Sequence, residues 1–194
     1  MHESPSTENL GREATELATA LIRVDTSSPP GNETAAATVL RDWLAARGIE
    51  SELVGPDPDR LNLVATLAGT GEAPSLGLSG HLDVVPTGPA EAWTYPPFSG
   101  HVDPAGILWG RGAVDMKAQV ATRAVAFAAP AQSGIAQRGT VRLIAQADEE
   151  ANTADVGMSW LVRERPDLRV DCAVEEGGGR RMTLADGRVV VTCG

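Results

Sequence analysis

Histidine is scarce in this chain, with three in 194 residues. One of them, His81, lies in the run Leu76-Gly77-Leu78-Ser79-Gly80-His81-Leu82-Asp83-Val84-Val85-Pro86. An apolar run with small residues predicts a buried strand, and Pro86 ends it. Positions i and i+2 of an extended segment share a side. His81 and Asp83 therefore face one site on this reading. An imidazole with a carboxylate beside it is a metal ligand with its orienting partner. A strand-end histidine beside a surface aspartate is the plainer alternative.

Acids recur at the ends of other segments. The strand expected over Gly139 to Ala147 runs into Asp148-Glu149-Glu150. Three adjacent carboxylates repel one another unless a cation compensates them. In open α/β sheets, ligands collect at the carboxyl ends of strands. A second short strand, Val170 to Val174, ends in Glu175-Glu176 before Gly177-Gly178-Gly179. Asp115 follows the tight Gly110-Arg111-Gly112 turn and precedes a helix expected from Met116 to about Ala129. By spacing alone its default role is that helix's N-cap, and the plainer alternative for Asp148-Glu149-Glu150 is a charged turn. Four segment ends taken together deliver His/Asp, Asp, Asp/Glu/Glu and Glu/Glu. That is the donor set of a carboxylate-rich metal site with one imidazole.

The elements that must position these residues alternate between helix and strand. Leu10, Ala14, Leu17 and Leu21 fall at helical spacing between Glu8 and Val24. Asp25 to Asn32 is a loop, and Asn32 caps a second helix that carries Glu33 in its first turn. That helix buries Val39, Leu40, Trp43 and Leu44 and ends at Gly48. Strands are expected at Ser51 to Val54 and Leu61 to Leu67, and a late helix at Ala154 to Arg165. After Pro86 a long loop, Thr87 to Gly106, holds Trp93, Tyr95, Phe98 and His101. Its aromatics read as surface packing and His101 as a solvated loop residue. The sum is an α/β pattern.

The length fits one domain, or one and a fraction, with a real core. A formal charge of −10 argues against a nucleic-acid partner, which needs clustered Lys and Arg. It does not disfavour a cation site. Cys172 and Cys193 make no disulfide framework at this length, which suits a reduced, cytoplasmic setting. The start Met1-His2-Glu3-Ser4 lacks the pattern of a signal peptide, and no apolar run reaches membrane-spanning length. No phosphate-binding loop, dinucleotide fingerprint or Gly-x-Ser-x-Gly elbow occurs.

Three ordered motifs resemble the M20 metallopeptidases: Ser79 to Pro86, Gly110-Arg111-Gly112-Ala113-Val114-Asp115-Met116-Lys117, and Asp148-Glu149-Glu150. Asp25 to Glu33 is similar to that family's N-terminal loop. The family includes aminoacylase, glutamate- and S-type carboxypeptidases, succinyl-diaminopimelate desuccinylase and acetylornithine deacetylase. The resemblance implies a three-layer α-β-α catalytic domain with a mixed sheet. It implies hydrolysis of an amide bond in a small peptide or N-acyl amino acid. It assigns His81, Asp115, Glu150 and Glu176 to two zinc ions, cobalt or manganese sometimes serving instead. Glu175 competes with Glu176 for the last place. Asp83 would orient His81, and Glu149 would be the general base.

The sequence also departs from that pattern. The family's last ligand is a histidine near its C-terminus, and none follows His101 here. The segment Arg188 to Gly194 reads as the middle of a strand. Residues 1–194 are thus expected to be the N-terminal part of the catalytic domain, stopping before a lid through which the longer protein forms a homodimer. Alone, such a piece holds at most one metal well and is weakly active or inactive. A degenerate remnant that binds metal or a partner without catalysis is the competing expectation. Ala118 stands where many relatives have glycine.

Overall fold

A computed structural model describes residues 6–134, 136–176, 181–184, 186 and 188–191. Two helices open the chain, α1 (Thr7–Ile22) and α2 (Glu33–Ala45). Ser6 caps α1, its hydroxyl accepting from the Asn9 amide at 3.3 Å. Asn32 holds the cap position of α2 but makes no side-chain cap bond. Strands β1 (Ser51–Val54), β2 (Asn62–Leu67) and β3 (Leu76–His81) follow. A two-stranded hairpin, β4 (His101–Val102) with β5 (Leu108–Trp109), interrupts the long loop. Then come α3 (Lys117–Ser133), β6 (Val141–Gln146), α4 (Met158–Glu164) and β7 (Cys172–Val174). A last hairpin pairs β8 (Arg181–Thr183) with β9 (Val189–Val191). Cys193 and residues 177–180 lie outside the described residues.

The central sheet has the order β1-β2-β6-β3-β7. Pairing is antiparallel for β1–β2 and β2–β6, and parallel for β3–β6 and β3–β7. Side chains of a strand alternate between faces, and this alternation separates two cores. Leu63 and Ala65 of β2, with Leu143 and Ala145 of β6, pack under α1, α2 and α3 against Leu21, Leu40, Leu44, Val120 and Phe127. Val64 and Ile144, the intervening residues, face Leu161 and Leu168 beside α4. The result is a sheet between helical layers, the α/β architecture expected.

Three local expectations are corrected. Helix α4 starts at Met158 rather than Ala154, because Asn152 and Asp155 take left-handed backbone conformations (φ 48° and 51°) that no helix continues through. Helix α3 runs on through Pro130 to the left-handed Gly134. A proline in the last turn forfeits little of the helical ladder, so it did not stop the helix. His101 is not a free loop residue. It pairs with Trp109 across the hairpin and stacks on Tyr95, with ring centroids 4.0 Å apart. Trp109 in turn donates its indole N–H to Asp103.

Gly80 sets how close α3 lies to β3. A Cβ there would meet Val120 Cγ2 at 2.9 Å and Met116 Cε at 3.1 Å. The start of α3, and Asp115 just before it, can therefore sit against the end of β3 where His81 emerges.

Candidate metal centre

His81 ends β3 and is almost fully buried, at 1% exposed. Its Nδ1 lies 2.8 Å from the backbone carbonyl oxygen of Asp83 and 3.5 Å from Asp83 Oδ1. A carbonyl can only accept, so Nδ1 carries a proton, and in the neutral ring Nε2 is the nitrogen that keeps a lone pair. Burial pulls the imidazole's pKa down, but the Asp83 side chain and carbonyl and the Glu149 charge outweigh it. The net effect raises it to about 10.

Carboxylates gather on the Nε2 side. Asp115 Oδ1 is 3.0 Å away, Glu176 Oε2 3.2 Å and Glu149 Oε2 3.7 Å. His81, Asp115 and Glu176 each offer an atom within 4.8 Å of the others'. Asp115 does not cap α3. Met116 holds that position without a side-chain bond, and the Asp115 carboxylate turns to the imidazole instead. The cleft over these groups has a volume of about 350 Å³, and Met116, Gln146, Glu149 and Glu175 also line it.

Asp83 does two things, one of them not foreseen. Its backbone carbonyl, rather than the carboxylate considered from the sequence, lies 2.8 Å from His81 Nδ1. Its fully buried carboxylate lies behind the ring, with Oδ1 accepting the Glu149 amide at 3.1 Å and Oδ2 the Glu150 amide at 3.0 Å. One side chain thus ties the end of β3 to the acid turn after β6. Burial works against the Asp83 charge, but the His81 bond and these two amides win and hold its pKa below the ordinary value.

Glu150 is half-buried and stands outside the three-donor group. Burial first, then the charges of Asp115, Asp83 and Glu149 against the relief of His81, raise its pKa. Glu176 is raised too, by burial and then by its hydrogen bond to and the charge of Asp115. Among the described residues, no Lys or Arg is ion-paired with Asp115, Glu149, Glu150 or Glu176. Glu175 lines the cleft, and its backbone carbonyl accepts from Arg123.

These residues fit a divalent cation. Zinc–ligand bonds of about 2.0–2.1 Å set tetrahedral donors roughly 3.3 Å apart. The 3.0 and 3.2 Å separations from Nε2 to Asp115 and Glu176 are close to that edge. The Nδ1–H bond to a carbonyl is the arrangement that presents a neutral Nε2 to a metal.

Sequence reasoning missed a second layer. Glu33, placed by the sequence in the first turn of α2, is fully buried, and Arg60 is 8% exposed. Arg60 ion-pairs with Glu33 at 2.5 Å and with Asp148 at 3.4 Å. Neither position carried a signal: Arg60 follows Asp57-Pro58-Asp59, which reads as solvated loop. Gln146 was also passed over, although it is the register partner of His81 on β6.

The chain belongs to peptidase family M20/M25/M40, whose profile matches residues 77–189. The succinyl-diaminopimelate desuccinylase of Hydrogenovibrio crunogenus is 37% identical over 138 residues, 71% of this chain and 35% of that protein. An M20 family metallo-carboxypeptidase from Sulfolobus solfataricus superposes with a TM-score of 0.73, at 20% identity, over 91% of this chain and 39% of its own. A dinuclear metal-binding M20 peptidase from Bacillus subtilis gives 0.61 at 19% identity, over 90% of this chain and 49% of its own. The chain spans about a third of the length of the curated relatives it matches.

Proposed function

We propose that this chain carries the metal-binding part of a hydrolase that cleaves an amide bond, in a small peptide or an N-acyl amino acid. The observation that carries the reading is the convergence of Asp115 and Glu176 on the free nitrogen of a buried, pre-oriented His81. Family membership and the desuccinylase relatives support it.

His81, Asp115 and Glu176 would hold one zinc ion, and Glu150 would serve a second one together with Asp115. The metal would supply Lewis acidity toward water and the scissile carbonyl. Glu149 takes the proton from the attacking water and returns it to the departing amine. Its carboxylate is 46% exposed and 3.7 Å from Nε2, so it is near the centre yet open to water. Asp83 holds the ring and the Glu149 and Glu150 backbone in place. The three donors with one imidazole among the described residues support one well-held cation in this chain.

Zinc titration against a competing chelator tests the reading. One tightly held ion per chain is expected, lost in His81→Ala. Two tight ions would contradict the single-site claim, and none would end the metal reading. Hydrolysis of dipeptides and N-acyl amino acids, with and without added zinc, then tests the reaction. The competing reading is a chain that binds metal without turnover. Zinc binding with no hydrolysis of any tested amide would select it.

The reading includes an N-terminal catalytic portion, with a homodimer formed through a lid domain in a longer protein. Sedimentation of that protein tests the dimer. No helix among the described residues is long and apolar enough to cross a membrane. A reduced cytoplasm is the setting proposed, in keeping with the free, exposed Cys172.

A further inference from the structure

Behind the acid turn lies a buried charge cluster that the reaction does not use. Arg60 Nε lies 3.2 and 3.0 Å from the two carboxylate oxygens of Glu33, and its Nη2 lies 2.5 Å from Oε1. The same Nη2 reaches Asp148 Oδ1 at 3.4 Å and the Ser28 hydroxyl at 3.4 Å. Glu33 then reaches the turn itself, since the Asp148 amide donates to its Oε1 at 3.2 Å. On its far side, Asp148 Oδ2 accepts the Ala154 amide at 2.7 Å.

The backbone shows what this cluster holds. Asp148 sits at φ 58°, a left-handed conformation that side-chain-bearing residues adopt when their surroundings enforce it. That turn of the chain changes its direction between β6 and Glu149. The Asp83 carboxylate grips the next two amides from the opposite side. The loop before α2 is shaped around the guanidinium: a Cβ on Gly31, itself at φ 84°, would meet Arg60 Nε at 2.3 Å. A bidentate Arg–carboxylate fork is geometrically specific in a way that a lysine ammonium is not.

We propose that Arg60 and Glu33 are positioning residues: they clamp Asp148 from behind, so that Glu149 and Glu150 are presented to the His81 cleft. The clamp itself follows from the buried contacts, and its consequence for metal binding rests on the metal reading above. It acts on the turn at two points, the Asp148 carboxylate through Arg60 and the Asp148 amide through Glu33. A plain stabilising ion pair would affect the whole molecule alike. A clamp affects the acid turn first.

The test is amide hydrogen exchange on the metal-free chain, read residue by residue by NMR, together with zinc titration. In Arg60→Met the Glu149 and Glu150 amides should exchange at least tenfold faster. Amides of α3 and of the β3–β6 ladder should keep their wild-type rates. Zinc affinity should fall about tenfold, with Arg60→Lys between the two. Should Arg60→Met lose its fold by circular dichroism, Glu33→Gln replaces it and should show the same local pattern. Wild-type exchange at 149 and 150 in the folded variant, or acceleration spread evenly over the sheet, would overturn the clamp. If the wild-type chain binds no zinc, the metal reading fails, and the exchange rates still decide the clamp.

Discussion

Asp148 and Glu149 are neighbours in sequence, yet their carboxylates meet opposite treatment. Asp148 is buried, faces a guanidinium and accepts a backbone amide. Glu149 opens onto a cleft that it shares with Asp115, Glu176 and one imidazole. Behind the turn, two acids meet Arg60. In front of it, among the described residues, no Lys or Arg is paired with any of four. Buried charge persists in proteins when it is compensated. A cluster of acids kept without a compensating side chain has a place for a cation from solution. The rear supplies rigidity, and the front supplies an unmet charge.

The largest effect should come from the front. Removing a general base typically lowers rates about 10²–10⁴-fold. Glu149→Ala should cut amide hydrolysis by that order and leave bound zinc unchanged, read from turnover and metal content together. Loss of metal instead would mean that Glu149 is a ligand. At the rear, Arg60→Met should act on the acid turn: in metal-free buffer the Glu149 and Glu150 amides should exchange at least tenfold faster while the urea unfolding free energy stays within about 1 kcal/mol of wild type. A global loss of the about 3–5 kcal/mol that a broken buried pair can cost would show that the pair stabilises the whole fold, and the contrast between the two sides would collapse.

Asp83 joins the two sides, and its substitution should have an intermediate effect. Outer groups that orient a metal-bound histidine are worth about 10–100-fold in affinity. Asp83→Asn should weaken zinc by that factor, since an amide nitrogen cannot accept the Glu149 and Glu150 N–H groups together. The pH dependence sharpens the point. Asp83 has its pKa lowered in the fold, so it binds protons less readily folded than unfolded. Its stabilisation is present above about pH 3.9, the ordinary aspartate value, and is lost as pH falls through the lower folded one. His81 shifts the other way, up to about 10. Its contribution is full below about pH 6.5 and fades as pH rises toward 10. Urea midpoints of the metal-free chain should fall off on both sides, and Asp83→Asn should flatten the acid limb.

The sequence made the front of the site legible and left the rear dark, for a physical reason. His81, Asp115, Glu149 and Glu176 sit at segment ends, where apolar runs stop and charge begins, so patterning finds them. Sheet alternation was readable too: Leu63, Ala65, Leu143 and Ala145 fall on one face as period two requires. Glu33 and Arg60 lie 27 residues apart, one opening α2 and the other in a loop of ordinary turn composition. Their burial depends on how the start of α2 meets the turn after β6, and no local pattern encodes that. The same holds for Asp115, whose N-cap spacing was real while its carboxylate turned elsewhere. Helix α4 was misplaced because Asp148 draws in the Ala154 amide, a bond spanning the turn.

The smallest effect concerns the two glutamates after β7. Glu176 puts Oε2 3.2 Å from His81 Nε2, and burial and then its hydrogen bond to Asp115 raise its pKa. Glu175 borders the same cleft but is fixed through its backbone, where Arg123 Nη2 donates to its carbonyl at 3.0 Å. That bond survives any change of the Glu175 side chain. Glu175→Gln should therefore leave zinc affinity within about twofold of wild type, while Glu176→Gln should weaken it tenfold or more. Arg123 also donates to the Ser79 carbonyl on β3, so the Glu175 backbone stays attached to the strand that carries His81. Equal losses in the two variants would mean that β7 can slide by one residue. The Leu76–Cys172 register, which sets where the chain leaves β7 and so which of the two glutamates reaches His81, would then be loose.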